Sequence, residues 1–299
     1  MNRRDFLKLT IASSLLASCD AWRTGDTVGL ALGGGGARGL AHILMLEVLD
    51  ELQIRPHRIA GTSIGAVIGA MYAAGMSARE IRGLVDRLTV ADDESWLASL
   101  FEQDGSRWWD FIELRLGGGG LIDTGAFASF LVETIGVSSF DQLSIPLKVV
   151  AADFWKREQV VFETGSLSPA IQASIAIPGL FNPLQHHGRV LVDGGLVNPV
   201  PYDLLFDDCD IVVAIDVSGN RQPKSDDGPG YFETLFNTLQ ITQAAILREK
   251  MKHRPPHVYI RPPLEDIRVL DFNRVNEIYQ QSAPARNRLR IALRQHFPI

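Results

Sequence analysis

Ser63 lies in Gly61-Thr62-Ser63-Ile64-Gly65, and this G-x-S-x-G spacing is the clearest chemical signal in the chain. In such an elbow a strand turns sharply into a helix, and the serine at the tip presents its Oγ to substrate. Small residues two positions to either side let the strand and helix close on one another. Here the strand reads as residues 58–60 and the helix as residues 64–74. A second reactive type is Asp193, which ends the apolar run Arg189-Val190-Leu191-Val192 and precedes Gly194 and Gly195. A carboxylate at a strand end with so little steric cover can reach a reacting group, although Asp-Gly-Gly also suits a tight turn. The third element is Gly33-Gly34-Gly35-Gly36-Ala37-Arg38-Gly39, between an apolar strand, Val28–Leu32, and a helical pattern from Leu40. A loop with so few side chains bares consecutive backbone N–H groups, as a developing oxyanion requires. A nucleophile, a base and amide donors together read as a serine acyl hydrolase.

Two rival readings use the same residues. Gly34-Gly35-Gly36-Ala37-Arg38-Gly39 also fits the dinucleotide fingerprint G-x-G-x-x-G. That fingerprint wants a carboxylate at the end of the second strand to hold a ribose, and the strand here ends in Ile59-Ala60-Gly61-Thr62-Ser63. Arg55 and Arg58 precede that end. The other rival is a Ser-His-Asp triad, in which a histidine follows the acid. His253, His257 and His296 follow Asp193, yet the first two flank Pro255-Pro256 and the last is near the end of the sequence. His42, His186 and His187 precede the acid and read as packed or surface residues.

The order glycine loop, then G-x-S-x-G, then Asp-Gly-Gly resembles the patatin-like phospholipase family, over residues 30–206. Gly120-Leu121-Ile122-Asp123-Thr124-Gly125 and the segment from Ala173 to Pro183 agree with it. The resemblance implies an α/β fold of three layers, with a mostly parallel central sheet covered by helices on both faces. It also implies a Ser–Asp dyad without histidine, Ser63 as nucleophile and Asp193 as base. Gly34, Gly35 and Gly36 would supply oxyanion amides and Arg38 would brace their loop; Gly39, Gly61, Gly65, Gly194 and Gly195 complete the motifs. The implied substrate is a phospholipid or another acyl-ester lipid, with no metal and no organic cofactor. Many members carry Asp-Gly-Ala where this chain has Asp-Gly-Gly. A lipoprotein that binds acyl chains without turnover is the non-enzyme alternative. The intact dyad and glycine loop argue against it.

Such a dyad makes a physical demand. A solvated aspartate, with a pKa near ~3.9, is a poor base for a serine hydroxyl. Burial beside an apolar acyl pocket would raise it, and oxyanion donors at roughly 3 kcal/mol each would lower the remaining barrier.

Residues 1–18 read as a signal peptide, with Arg3-Arg4, a short apolar stretch, and Leu16-Ala17-Ser18 before Cys19. The paired arginines resemble a twin-arginine signal and Leu-Ala-Ser-Cys a lipobox, so Cys19 is the expected lipidation site. Asp20 resembles the signal that retains lipoproteins in the inner membrane. The expected location is that of an exported bacterial lipoprotein, anchored on the periplasmic side of that membrane. Removing residues 1–18, with three Lys/Arg and one Asp, takes the net charge from −6 to −8. That balance argues against nucleic acid as a partner. It leaves the acyl anchor, rather than overall charge, as the tether.

Strand-like runs at residues 28–32, 58–60, 147–152, 159–162, 190–192 and 210–217 alternate with helical patterns at 40–52, 64–74, 78–88, 125–135 and 168–175. Such alternation means a mostly parallel sheet. Beyond residue 206 a long helix at 232–253, a strand at 258–261 and a helix around 275–297 read as a C-terminal extension, 207–299, packed on the same domain. Residues 220–230 read as a polar loop. Residues 92–120, rich in Trp, Phe and Leu and closed by four glycines, read as a lid or as a cap with its own small core.

Overall fold

Across five neighbouring strands, one row of the sheet reads Leu147–Ile59–Leu30–Val213–Val258 and the next reads Lys148–Ala60–Ala31–Ala214–Tyr259. Side chains alternate faces along a strand, so one face of this sheet is built of large aliphatic residues and the other mostly of small ones. The computed structural model describes residues 26–90, 124–220 and 230–296. Its strands are β1 (Val28–Leu32), β2 (Arg58–Thr62), β3 (Leu147–Asp153), β4 (Glu158–Phe162), β5 (Leu184–His186), β6 (Arg189–Asp193), β7 (Ile211–Ile215) and β8 (Val258–Ile260). The helices are α1 (Ala41–Glu51), α2 (Ile64–Ala73), α3 (Ala78–Val90), α4 (Gly125–Ile135), α5 (Leu167–Ser174), α6 (Tyr231–His253) and α7 (Val275–His296).

β8, β7, β1, β2 and β3 run parallel, while β4 and β6 lie antiparallel to β3 and β5 antiparallel to β6. The sheet is therefore mixed and mostly parallel, with helices on both faces, as expected. Val149 and Val150 pair with both β2 and β4, so those two strands lie on opposite edges of β3. Ala151 to Asp153 pair with both β4 and β6, which puts β6 on the edge that β2 occupies. β2 and β6 therefore meet end to end along one side of β3. Thr62 lies opposite Val150 and Asp193 opposite the next residue, Ala151.

The large-residue face packs into the main core with α1, α2, α3, α4, α5 and α7. The small-residue face holds Ala31, Ala60, Val212 and Ala214 against Val200, Tyr202, Leu205 and Leu247 of α6. Small residues there admit close neighbours: a Cβ on Gly29 would stand 3.0 Å from Cys209 Sγ.

Element ends differ from the sequence reading in ways that matter to the site. A 3-10 turn, Gly36–Leu40, precedes α1, because the glycine loop bends before the helix begins. β2 runs on to Thr62, which carries Ser63 to the strand tip. The short strand β5 carries no sequence signal of its own; it pairs with β6 across the turn at His187, whose φ is 48°. The C-terminal segment supplies two strands of the sheet, β7 beside β1 and β8 beside β7. Arg286 and Arg290 of α7 pair with Glu47 and Glu51 of α1. The aromatic stretch at 92–120 and the signal segment with Cys19 lie outside the described residues.

Candidate active site

Ser63 adopts φ 55° and ψ −126°, a conformation that L residues rarely hold and that costs of order 1–3 kcal/mol. The surroundings over-determine it. Its N–H donates to Ser174 Oγ at 2.8 Å, and that hydroxyl donates to the Val150 carbonyl at 2.7 Å. The Ser63 carbonyl accepts the Ala66 and Val67 amides at 2.8 and 3.2 Å. Before it, Thr62 Oγ1 donates to the Asn198 carbonyl at 2.8 Å. Close approach explains the flanking glycine: a Cβ on Gly65 would stand 2.1 Å from the Leu32 carbonyl oxygen. Gly61 packs under the start of α2 in the same way, and Gly39 against Ile64.

The end-to-end meeting of β2 and β6 brings the two reactive groups together. The Ser63 hydroxyl lies by the Asp193 carboxylate and favours its charged form, and Asp193 Oδ1 accepts the Gly195 N–H at 2.7 Å. Asp193 is buried, and burial pushes its pKa up to about 6, the Ser63 hydroxyl and the Gly195 N–H pulling it back in part. Gly194 lies directly over β3, where a Cβ would meet the Val150 carbonyl oxygen at 2.3 Å.

The glycine loop passes beside Ser63, with Gly34 nearest: a Cβ there would stand 3.4 Å from that of Ser63. One expectation needs correction. The Gly34 N–H is committed to the Pro199 carbonyl at 2.9 Å, so it is not an oxyanion donor. The Gly35 and Gly36 amides make no hydrogen bond among the described residues. Gly36 has φ +58°, and a Cβ would collide with the Val269 carbonyl at 2.3 Å. The buried Arg38 lies against the loop: its Nε donates to the Gly35 carbonyl at 3.1 Å and its Nη1 to the Ser218 carbonyl. On the other side His42, buried on α1, holds the Gly33 carbonyl through Nε2 at 2.8 Å. Burial pushes the His42 pKa down to about 4, so its neutral form is kept.

A cleft of about 480 Å³, open to solvent, joins Gly34, Gly35, Gly36, Arg38, Ser63 and Asp193. Its apolar walls are Ile177, Pro178, Leu196, Val269 and, from α6, Phe236 and Leu239, with Gln240 and Gln243 alongside. The α6 residues recur at helical spacing on one face, but nothing in their chemistry marks them as site residues. Ser174 was visible only as part of a motif; its role as the clamp on Ser63 depends on where α5 lands. Among the described residues no histidine lines this cleft. His257 Nδ1 accepts the Val212 N–H at 2.9 Å, and His253 pairs with Glu249 on the exposed side of α6. His186 and His187 stack on each other at the β5–β6 turn. Among the described residues no group of three or more His, Cys, Asp or Glu side chains could hold a metal ion. No described helix is long and apolar enough to cross a membrane.

Known proteins bear on this geometry. An uncharacterized NTE family protein of Mycobacterium tuberculosis is 31% identical over 221 residues, which are 73% of this chain and 57% of that protein. Lysophospholipase NTE1 of Saccharomyces cerevisiae is 27% identical over 301 residues, 93% of this chain and 17% of that protein. The chain thus spans little more than half of the one relative and a small part of the other. Among solved structures, VipD from Legionella pneumophila aligns with TM-score 0.49 and 14% identity, over 88% of this chain and 67% of that one. The sequence model of the Patatin-like phospholipase family matches residues 30–206, which take in the glycine loop, Ser63 and Asp193. This chain belongs to the patatin-like phospholipase family, a family of serine ester hydrolases.

Proposed function

We propose that this chain hydrolyses acyl esters of lipids, with Ser63 as nucleophile and Asp193 as its general base. One observation carries the reading: where β2 and β6 meet, Ser63 shares one cleft with a buried carboxylate, Asp193, whose pKa is raised to about 6. A base of that pKa is ionised at neutral pH yet basic enough to take a proton in the transition state. Ser63 Oγ attacks the ester carbonyl carbon as its proton passes to Asp193. The carbonyl oxygen, now negative, is held by the Gly35 and Gly36 amides. Collapse breaks the bond to the alcohol oxygen, which leaves with the proton from Asp193. Water then attacks the acyl-serine, giving its proton to the same carboxylate, and the free acid departs as that proton returns to Ser63.

The apolar walls Ile177, Leu196, Phe236 and Leu239 suit an acyl chain. The name lysophospholipase on the yeast relative supports a lysophospholipid as the first substrate to try. The test is fluorophosphonate labelling of the pure protein, followed by turnover of lysophospholipid, phospholipid and short-chain esters. Ser63→Ala should abolish labelling, and Ser63→Ala and Asp193→Asn should each lower turnover by roughly a thousandfold or more. His253→Ala and His257→Ala should keep most of it. A thousandfold loss in either histidine variant would replace the dyad with a triad. Acylation of Cys19 after export is proposed on the leader motifs alone, and mass spectrometry of the N-terminal peptide decides it.

A further inference from the structure

The β3–β4 turn presents Phe154, 46% exposed, and Trp155, 73% exposed, stacked edge to face with ring centroids 4.9 Å apart. Apolar rings of this size seldom stay in water without a use. This turn is built to hold them there. The buried Asp153 carboxylate accepts the Trp155 and Lys156 amides at 3.1 and 3.0 Å, and the Asp153 carbonyl accepts the Arg157 amide at 2.8 Å. The Phe154 amide is tied to the Val190 carbonyl at 2.8 Å. Lys156 and Arg157 extend from the same tip, and Arg189 stands beside it within 3.7 Å of Glu158. Three cations, Lys156, Arg157 and Arg189, thus face two carboxylates, Glu158 and the buried Asp153, so in a chain of net charge −6 the tip keeps one positive charge in excess.

Its place in the fold matters as much. β3 runs parallel to β2, so the turn follows the end of β3 on the side of the sheet where β2 delivers Ser63. Asp193 lies opposite Ala151, β3 ends two residues later at Asp153, and Trp155 stands in the turn that follows. We propose that Phe154, Trp155, Lys156 and Arg157 form a docking element that seats the mouth of the cleft on an anionic lipid surface. Rings at the headgroup level with cations beside them match the chemistry of that interface. A protein partner is the poorer fit. Two rings at a convex tip bury roughly 150–250 Å² each, well short of the ~1,200 Å² a stable protein interface needs.

The inference rests on the lipid-hydrolase reading, because it concerns how an insoluble substrate is reached; binding and turnover are therefore read separately. The test uses the full-length chain carrying Cys19→Ala, so that no acyl anchor contributes. Flotation is measured with phosphatidylcholine vesicles, with and without phosphatidylglycerol. Phe154→Ser with Trp155→Ser should weaken binding to anionic vesicles by roughly tenfold or more. Lys156→Glu should weaken it severalfold, on anionic vesicles only and most at low salt. Hydrolysis of a water-soluble short-chain ester should be unchanged in each variant. Equal vesicle affinity of the double variant and its parent would overturn the proposal. So would a parent that ignores vesicles but self-associates through this turn in sedimentation. A parent that binds vesicles yet hydrolyses no ester overturns the catalytic reading alone.

Discussion

The two faces of the sheet are built to different rules. On one, Leu147, Ile59, Leu30, Val213 and Val258 form a continuous aliphatic row under a deep helical layer. On the other, Ala60, Ala31 and Ala214 leave room for a 3-10 turn, Tyr202–Leu205, and for α6 to sit close to the backbone. The deep face supports what must not move: α1 and α2 carry His42 and the elbow. The shallow face carries the α6 wall, held there by Leu247 and by polar contacts of Lys250. The elbow that carries Ser63 and the cleft wall of α6 are thus held on opposite sides of one sheet.

The largest expected effect tests that asymmetry directly. Leu30→Ala, in the middle of the deep row, should destabilise the fold by about 3–4 kcal/mol. Leu247→Ala on the shallow face should cost about 2 kcal/mol, because its site is 9% exposed and can relax. Urea unfolding of both variants measures the difference. Equal costs, or the reverse order, would erase the distinction between the faces.

A second test sets the two buried titrating groups beside the cleft against each other. The folded pKa of Asp193, about 6, lies above its ordinary 3.8. Its contribution to stability is therefore full below 3.8 and is lost as pH rises through 6. Asp193→Asn should accordingly raise stability at pH 8 by up to about 3 kcal/mol, an increment that disappears near pH 4. His42 has the opposite sign. Its folded value, about 4, lies below 6.5, so its contribution is full above 6.5 and is lost as pH falls toward 4. Between pH 4 and 6 the two oppose each other, leaving a flat melting profile in the parent and a rising one in Asp193→Asn. Activity should climb with pH through about 6 as Asp193 ionises. An Asp193→Asn profile parallel to that of the parent would mean that the carboxylate is not desolvated.

How much of this was legible in the sequence follows the same division. Ser63, Asp193 and the glycine loop announce themselves because local geometry restricts those positions to few residue types. The β1, β7 and β8 strands could be read because their aliphatic runs are nearly continuous. The junction of β2 with β6 could not, since it depends on β3 pairing with two strands along one edge. Nor could the occupied Gly34 amide, which is set by Pro199 approaching from a distant loop. The α6 wall was hidden for a further reason. Phe236, Leu239, Gln240 and Gln243 form an ordinary helical stripe, and only the shallow face beneath makes it line a cleft.

The smallest expected effect concerns what holds that wall. Lys250 Nζ, at 2.5 Å from both Asn198 Oδ1 and Asp203 Oδ1 and 2.9 Å from the Val200 carbonyl, ties α6 to the segment that follows Asp193. It also lies 4.6 Å from the centre of the Tyr202 ring. Burial lowers its pKa, against the attraction of Asp203. Lys250→Met keeps the stem and removes the charge. Asp203, 44% exposed, can turn to water once abandoned, so the stability cost should be only about 1 kcal/mol. The informative change lies in selectivity. With the tie gone, α6 shifts against the shallow face while the elbow on the deep face stays fixed. Turnover of long-chain acyl esters should then fall by roughly threefold relative to an acetyl ester, a loss of the size expected for one weakened apolar contact. The measurement is a chain-length series of kcat/KM at neutral pH. An unchanged series would mean that apolar packing at Leu247 alone positions the wall, and an equal fall for every ester would mean that the tie also steadies Asp193.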